Sequence, residues 1–230
     1  MATGAPTAMS MDIPLMRIEI DLITLTQWLS PSFPIGSFAY SHGLEAAVAR
    51  GWVQNAGSLQ EWLSDIALHG TGRSDAIWLR LAYRAEDRTE LLALNAEARA
   101  FAPAKTRLIE AERQGAAFAK TVRAVWEMDL PDLLVPLAVG AATHQKDIDI
   151  DLVVPLYLQA VLGNLVSAAQ RLMPLGQTEG QAVLAALQQA CLQIAQETAD
   201  AEREDIYSNA FASDIAAMHH ETLEPRLFQS

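Results

Sequence analysis

The stretch Leu152–Leu172 is apolar on nearly every side of the helix it would form. Asp151 can cap that helix, and Pro155 still falls in the tolerated first turn. A helix without a polar face must be enclosed by something. Pro155, Gln159, Asn164, Gln170 and Arg171 interrupt the roughly 20 apolar residues that a membrane span needs. Enclosure by other helices is therefore expected, with 152–172 at the centre of a bundle.

The rest of the chain supplies those helices. Leu22, Leu25, Trp28 and Leu29 suit a short helix that stops at Ser30-Pro31. Ser58 and Glu61 have capping-box spacing, and Leu59, Trp62, Leu63 and Ile66 follow on one face. Gly70-Thr71-Gly72 breaks that run before a helix carrying Ile77, Trp78, Leu81 and Ala82. From Pro103 to Glu127, Leu108, Ala111, Gly115, Phe118, Ala119, Val122, Val125 and Trp126 form one stripe, with Lys105, Glu110, Arg113, Lys120 and Arg123 off it. Ala111 and Gly115 predict close approach of another helix backbone. Pro131-Asp132 should open a further helix ending near His144. Thr178 with Gln181 offers a second capping box, followed by Val183, Leu184, Leu187, Cys191 and Ile194 on one face. Ala199–Asp205 is acidic, and Phe211–Met218 reads as a short helix. No period-2 run demands a strand. The fold class expected is all-α: a single-domain irregular bundle over 18–230, after a disordered N-terminal tail at 1–17.

Charge and chemistry narrow the function. Sixteen basic against 28 acidic residues give a net charge of −12, which disfavours nucleic acid phosphate and anionic membranes and suits a basic partner surface. One cysteine excludes an intrachain disulfide, and no signal peptide is legible, so the expected compartment is the cytoplasm. No G-x-x-x-x-G-K-[ST] and no G-x-S-x-G occurs. Ser41-His42 invites a nucleophile–base reading, but neighbours on a helix or strand point apart, and a helix-start serine is preferred. His42, His69 and His144 stand alone. His219 and His220 are the weak metal candidates, since ring neighbours about 100° apart do not clasp one ion. Cys191 reads as core, and the tryptophans as core or interface anchors.

Three segments exceed what a bundle needs. Ser30 to Glu45 crowds aromatics, including Tyr40, with prolines and glycines around a helix start. Arg171 to Gln181 adds Arg171, Gln177 and Gln181 to a turn that needs only Pro174, Gly176 and a cap. Met218 to Ser230 ends in Pro225-Arg226-Leu227-Phe228, where termini usually become polar. An apolar, arginine-bearing end at 221–230 suggests docking, on the chain's own bundle or on a partner.

Together these segments resemble the urease accessory protein F (UreF) family. The matching residues are Leu29-Ser30, Pro34-Ile35-Gly36-Ser37-Phe38 and Ser41-His42-Gly43-Leu44-Glu45, then Arg171, Leu172, Pro174, Gly176, Gln177 and Gln181, then His220-Glu221 and Arg226-Leu227-Phe228-Gln229-Ser230. Ser37 departs from the family's second glycine and Gln229 from its penultimate arginine. The resemblance implies a non-catalytic, all-helical homodimer that binds UreD (UreH in some organisms) and then the GTPase UreG. That complex engages apo-urease and promotes nickel insertion. Nickel is the cargo, GTP belongs to UreG, and no tightly bound cofactor is expected. Carried over by position, the partner-binding set is Gly36, Tyr40, Gly43, Glu45, Arg171, Pro174, Gly176, Gln177, Gln181, His220, Glu221, Arg226, Leu227 and Phe228. Glu45 and Arg171, beside tight turns, are read as facing UreG, and Arg226–Phe228 as ordering against UreD. The alternative is a GTPase-activating protein that supplies Arg171 or Arg226 to UreG.

Overall fold

The computed structural model describes the backbone of residues 13–230 and side chains from Arg17 onward. Among the described residues there are eleven α-helices, two short 3-10 turns and no strand. The first helix, α1, spans Ile13–Trp28. Most of the tail expected at 1–17 lies outside the described residues, and its last five positions belong to α1.

Helix α8, Ile150–Leu172, is the hub. By length and composition alone it could cross a membrane. Here Val153, Val154, Tyr157, Leu158, Leu162, Leu165, Val166, Ala168 and Ala169 are buried by protein instead. Around it pack α2 (Leu44–Ala49), α3 (Ala56–His69), α4 (Thr71–Arg84), α7 (Val135–Lys146), α9 (Gln177–Ala186) and α10 (Gln188–Glu197). Its cap is Asp149, whose carboxylate accepts from the Asp151 N–H at 2.9 Å, two residues before the expected position.

Other boundaries move for similar reasons. Asn55 caps α3 by accepting from the Ser58 N–H at 3.1 Å, so Ser58 sits inside the box rather than opening it. Gly176 precedes α9, and its N–H donates to Glu179 at 3.0 Å, displacing Thr178 from the cap. The apolar face from Val183 to Ile194 is shared by two helices that break at Leu187. The helix expected at Pro131 starts at Val135. Helix α5, Arg88–Ala100, carries no expectation above; Asp87 caps it, accepting from the Glu90 N–H at 2.8 Å.

Helix α6, Lys105–Trp126, carries the long stripe. Trp28 of α1 meets Phe118 and Trp126 edge to face at 5.5 and 5.7 Å between centroids. At Gly115 a Cβ would lie 1.9 Å from the Leu133 carbonyl oxygen, so the close neighbour is the extended segment before α7 rather than a helix. Two further corrections concern that stripe: Val125 is exposed, and Glu110, placed off the stripe, is buried. Between α4 and α7 the crossing is equally tight, with a Cβ at Gly140 falling 2.2 Å from the Leu79 carbonyl oxygen. Buried Arg80 joins three helices, donating to the Ala195 carbonyl at 2.8 Å and pairing with Asp151 at 2.7 Å.

Candidate functional site: the cradle of the C-terminal tail

The turn that starts α2 is shaped by two consecutive left-handed residues, His42 at φ 55° and Gly43 at φ 79°. Gly43 is required twice. Its φ disfavours a side chain, and a Cβ there would sit 2.6 Å from the Ala217 backbone nitrogen of α11, Phe211–His220. At Gly36, φ is 72° but the space is open, so only the backbone conformation asks for glycine. Ser41 starts the helix: its Oγ accepts from the Glu45 N–H at 3.3 Å. Ser41 and His42 then diverge, as neighbours should.

This turn places Glu45 under the chain's own C-terminus. Its carboxylate accepts from the Leu227 N–H at 2.6 Å, the Phe228 N–H at 3.0 Å and His220 Nε2 at 2.9 Å. Burial alone would push this carboxyl up, but the two backbone N–H groups and His220 leave it below the usual range. Arg171 reaches the same tail from α8. Its guanidinium donates to the Phe38 carbonyl and lies 4.1 Å over the Phe228 ring. Both residues were expected to turn toward a partner. In the structure Glu45 is 8% exposed and faces inward, whereas Arg171 stays exposed while lying across Phe228.

The last residues form a short ladder with 39–41. Gln229 N–H donates to the Ala39 carbonyl at 2.9 Å, and Ser41 N–H to the Ser230 carbonyl at 3.0 Å. Ser41 Oγ donates to the same carbonyl at 2.5 Å. Ser230 Oγ donates to Glu110 at 2.5 Å. Glu110 also meets His42 Nε2 at 2.7 Å, Gln114 Nε2 at 3.0 Å and Arg107. Against its burial, Arg107 and then His42 hold Glu110 down at about 2. Burial, with Arg107 nearby, lowers His42, and at 2.7 Å its Nε2–H is given to the Glu110 carboxylate. Arg113 donates to Gln229 Oε1 at 2.8 Å. Sequence reasoning missed Glu110, Arg113 and this use of Ser41 and His42.

The fourteen expected residues thus separate. Gly43, Glu45, Arg171, His220 and Phe228 meet in the cradle, with Tyr40 buried beside the ladder. Arg226 and Leu227 project outward, Leu227 being 63% exposed. Pro174, Gly176, Gln177 and Gln181 lie on an exposed surface at the α8–α9 turn, where Gln170 donates to Gln177 at 3.2 Å. Glu221 is exposed and accepts from the Thr106 N–H at 3.3 Å. His219 and His220 point into different surroundings, one beside Trp52 and the other on Glu45.

Comparison with known proteins gives these positions a context. The UreF family model matches residues 53–188, which includes the 171–181 turn together with Arg171 and Glu110, but not the turn before α2 or the C-terminal tail. Curated relatives extend further. A urease accessory protein UreF of Roseobacter denitrificans is 49% identical over 208 residues, covering 90% of this chain and 93% of its own. One from Cereibacter sphaeroides is 50% identical over 209 residues, covering 91% and 98%. Another, from Ruegeria pomeroyi, is 43% identical over 212 residues, covering 92% and 98%.

Proposed function

Because this chain belongs to the UreF family of urease accessory proteins, we propose that it is a non-catalytic assembly factor that bridges UreD (UreH) and the GTPase UreG on apo-urease. In this reading nickel is the cargo, GTP is bound by UreG, and the working form is a cytoplasmic homodimer. The observation that carries it is the two-sided tail. Phe228 and Ser230 are locked into the bundle while Arg226 and Leu227 are presented to solvent. A rigidly held apolar and cationic pair suits docking, because its ordering cost is already met in the free chain. The net charge of −12 favours a partner with a basic face.

Co-purification with UreD and UreG tests the proposal. A stable ternary species, and restored urease activation in cells lacking their own UreF, are the expected results. Capture of neither protein would overturn it. The arginine-supplying alternative has one favourable observation, the exposure of Arg226, since Arg171 is engaged by Phe38 and Phe228. It requires UreG to hydrolyse GTP faster with this chain in the absence of urease, and Arg226→Ala to abolish the gain.

A further inference from the structure

A cavity of about 100 Å³ lies between α4, α6 and α8. One wall is the back of the tail cradle, His42 and Glu110. The opposite wall takes no part in holding the tail. There Asp75 accepts from the Tyr157 hydroxyl at 3.0 Å, its one side-chain hydrogen bond among the described residues. Arg107, the arginine of this cavity, is bound to Glu110. The Asp75 charge therefore has no ion-pair partner, and burial pushes its carboxyl up to about 6, with Arg107 acting the other way.

The remaining groups are rich in acceptors. His42 gives its Nε2–H to Glu110 and leaves Nδ1 buried and unpartnered, an acceptor in the neutral ring. Gln114 spends its amide nitrogen on Glu110, freeing its carbonyl oxygen. With Glu110 and Arg107 cancelling, the wall carries one net negative charge. Part-exposed Thr71 and exposed Phe101 mark the mouth toward solvent.

We propose that this cavity binds a guanidinium head, carried by an arginine side chain or by a small guanidinium compound. Asp75 supplies the charge, with His42 Nδ1 and the Gln114 carbonyl as further acceptors. Guanidinium is planar, weakly hydrated and has five donors, so it can satisfy several acceptors at once where ammonium presents a compact, strongly hydrated point. A single water needs about 10–15 Å³ of such space, so the cavity has room for a head of a few heavy atoms. This inference does not rest on the role in urease assembly.

The test titrates methylguanidinium chloride into the full chain, followed by NMR, with methylammonium chloride at equal ionic strength as control. Saturable binding in the millimolar range is expected, at least about fivefold weaker for methylammonium and about tenfold weaker in Asp75→Asn. In the wild-type chain affinity should fall roughly tenfold from pH 7.5 to pH 5, as Asp75 takes a proton beside Tyr157, Arg107, Glu110 and His42. Absence of saturation, equal binding by Asp75→Asn, or indifference to pH would each overturn the proposal. N-acetyl-arginine methylamide distinguishes the sources. Affinity matching methylguanidinium supports a site for a protein-borne arginine, and exclusion of the blocked arginine supports one for a free small molecule.

Discussion

Glu45, Glu110 and Asp75 are three enclosed carboxylates with different consequences for stability. Removing the Glu45 carboxylate strands the Leu227 and Phe228 amides and the His220 ring together. Glu45→Ala should therefore cost about 3–5 kcal/mol in urea melts. A loss under about 0.5 kcal/mol would mean that the tail is not held this way. Glu110, held at about 2, lies below the ordinary value of 4.5. Its contribution, roughly 3 kcal/mol, is present above that ordinary value and is lost as pH falls from about 4.5 toward 2. Asp75 has the opposite sign. Its folded value of about 6 exceeds the ordinary 3.8, so its ionisation costs stability as pH rises through that window. Asp75→Asn should stabilise the chain by about 1–3 kcal/mol near pH 7.5, and the gain should vanish near pH 4. Equal gain at both pH values would count against a carboxylate held without an ion-pair partner in the cavity wall. The residue types at Glu45 and Arg171 stand out in the sequence, but their shared partner is more than fifty positions from either, beyond any local spacing rule. Gln229 is similar: it accepts from Arg113, a bond no arginine at that position could accept.

At the scale of elements, periodicity revealed most helices because burial imposes the 3.6-residue repeat, as for α6 and the enclosed α8. Caps were less legible, since several polar residues compete for each helix start. Asn55 lies three residues before Ser58, and Asp149 two before Asp151, so the geometry of the entering chain chose between them. Helix α5 escaped because its apolar face is narrow, with Leu91, Leu94 and Ala98 buried. Glu110 escaped because a polar residue on a helix with Arg107 and Gln114 one turn away reads as solvated, and the partners that draw it inward, His42 and Ser230, come from the α2 turn and the C-terminus. The close crossings give a prediction at this scale. Gly115→Ala and Gly140→Ala each place a Cβ against a backbone carbonyl, at 1.9 and 2.2 Å. Backbone must shift to relieve either, so each should lower stability by about 3 kcal/mol or more, beyond the usual overpacking cost. Gly36→Ala meets open space and carries only the left-handed penalty, about 1–2 kcal/mol. Thermal melts of the three variants should separate in that order, and a Gly36 variant as damaging as the others would contradict the geometry.

For the whole molecule, the tail closes the bundle and also displays a surface, and these two roles lie on alternate residues. Phe228 is 2% exposed and fixed by Arg171 above and Glu45 at its amide. Phe228→Ala should cost about 3–5 kcal/mol, the usual price of an aromatic removed from a packed site. Leu227 points the other way, with only its N–H committed to the cradle. Leu227→Asp should then leave melting within about 0.5 kcal/mol of wild type, as for ordinary exposed positions. On the docking role proposed above, its effect should fall on association: burial of one leucine is worth roughly 1.5–3 kcal/mol, so capture of UreD should weaken by at least tenfold. Deleting 221–230 cannot separate the two roles, because it also leaves Glu45 and Glu110 without Leu227, Phe228 and Ser230. Parallel melting and pull-down of Leu227→Asp and Phe228→Ala can. A Leu227 variant that melts normally and still captures UreD fully would confine the tail to closing the fold and move the search for the docking surface to the exposed turn around Pro174, Gln177 and Gln181.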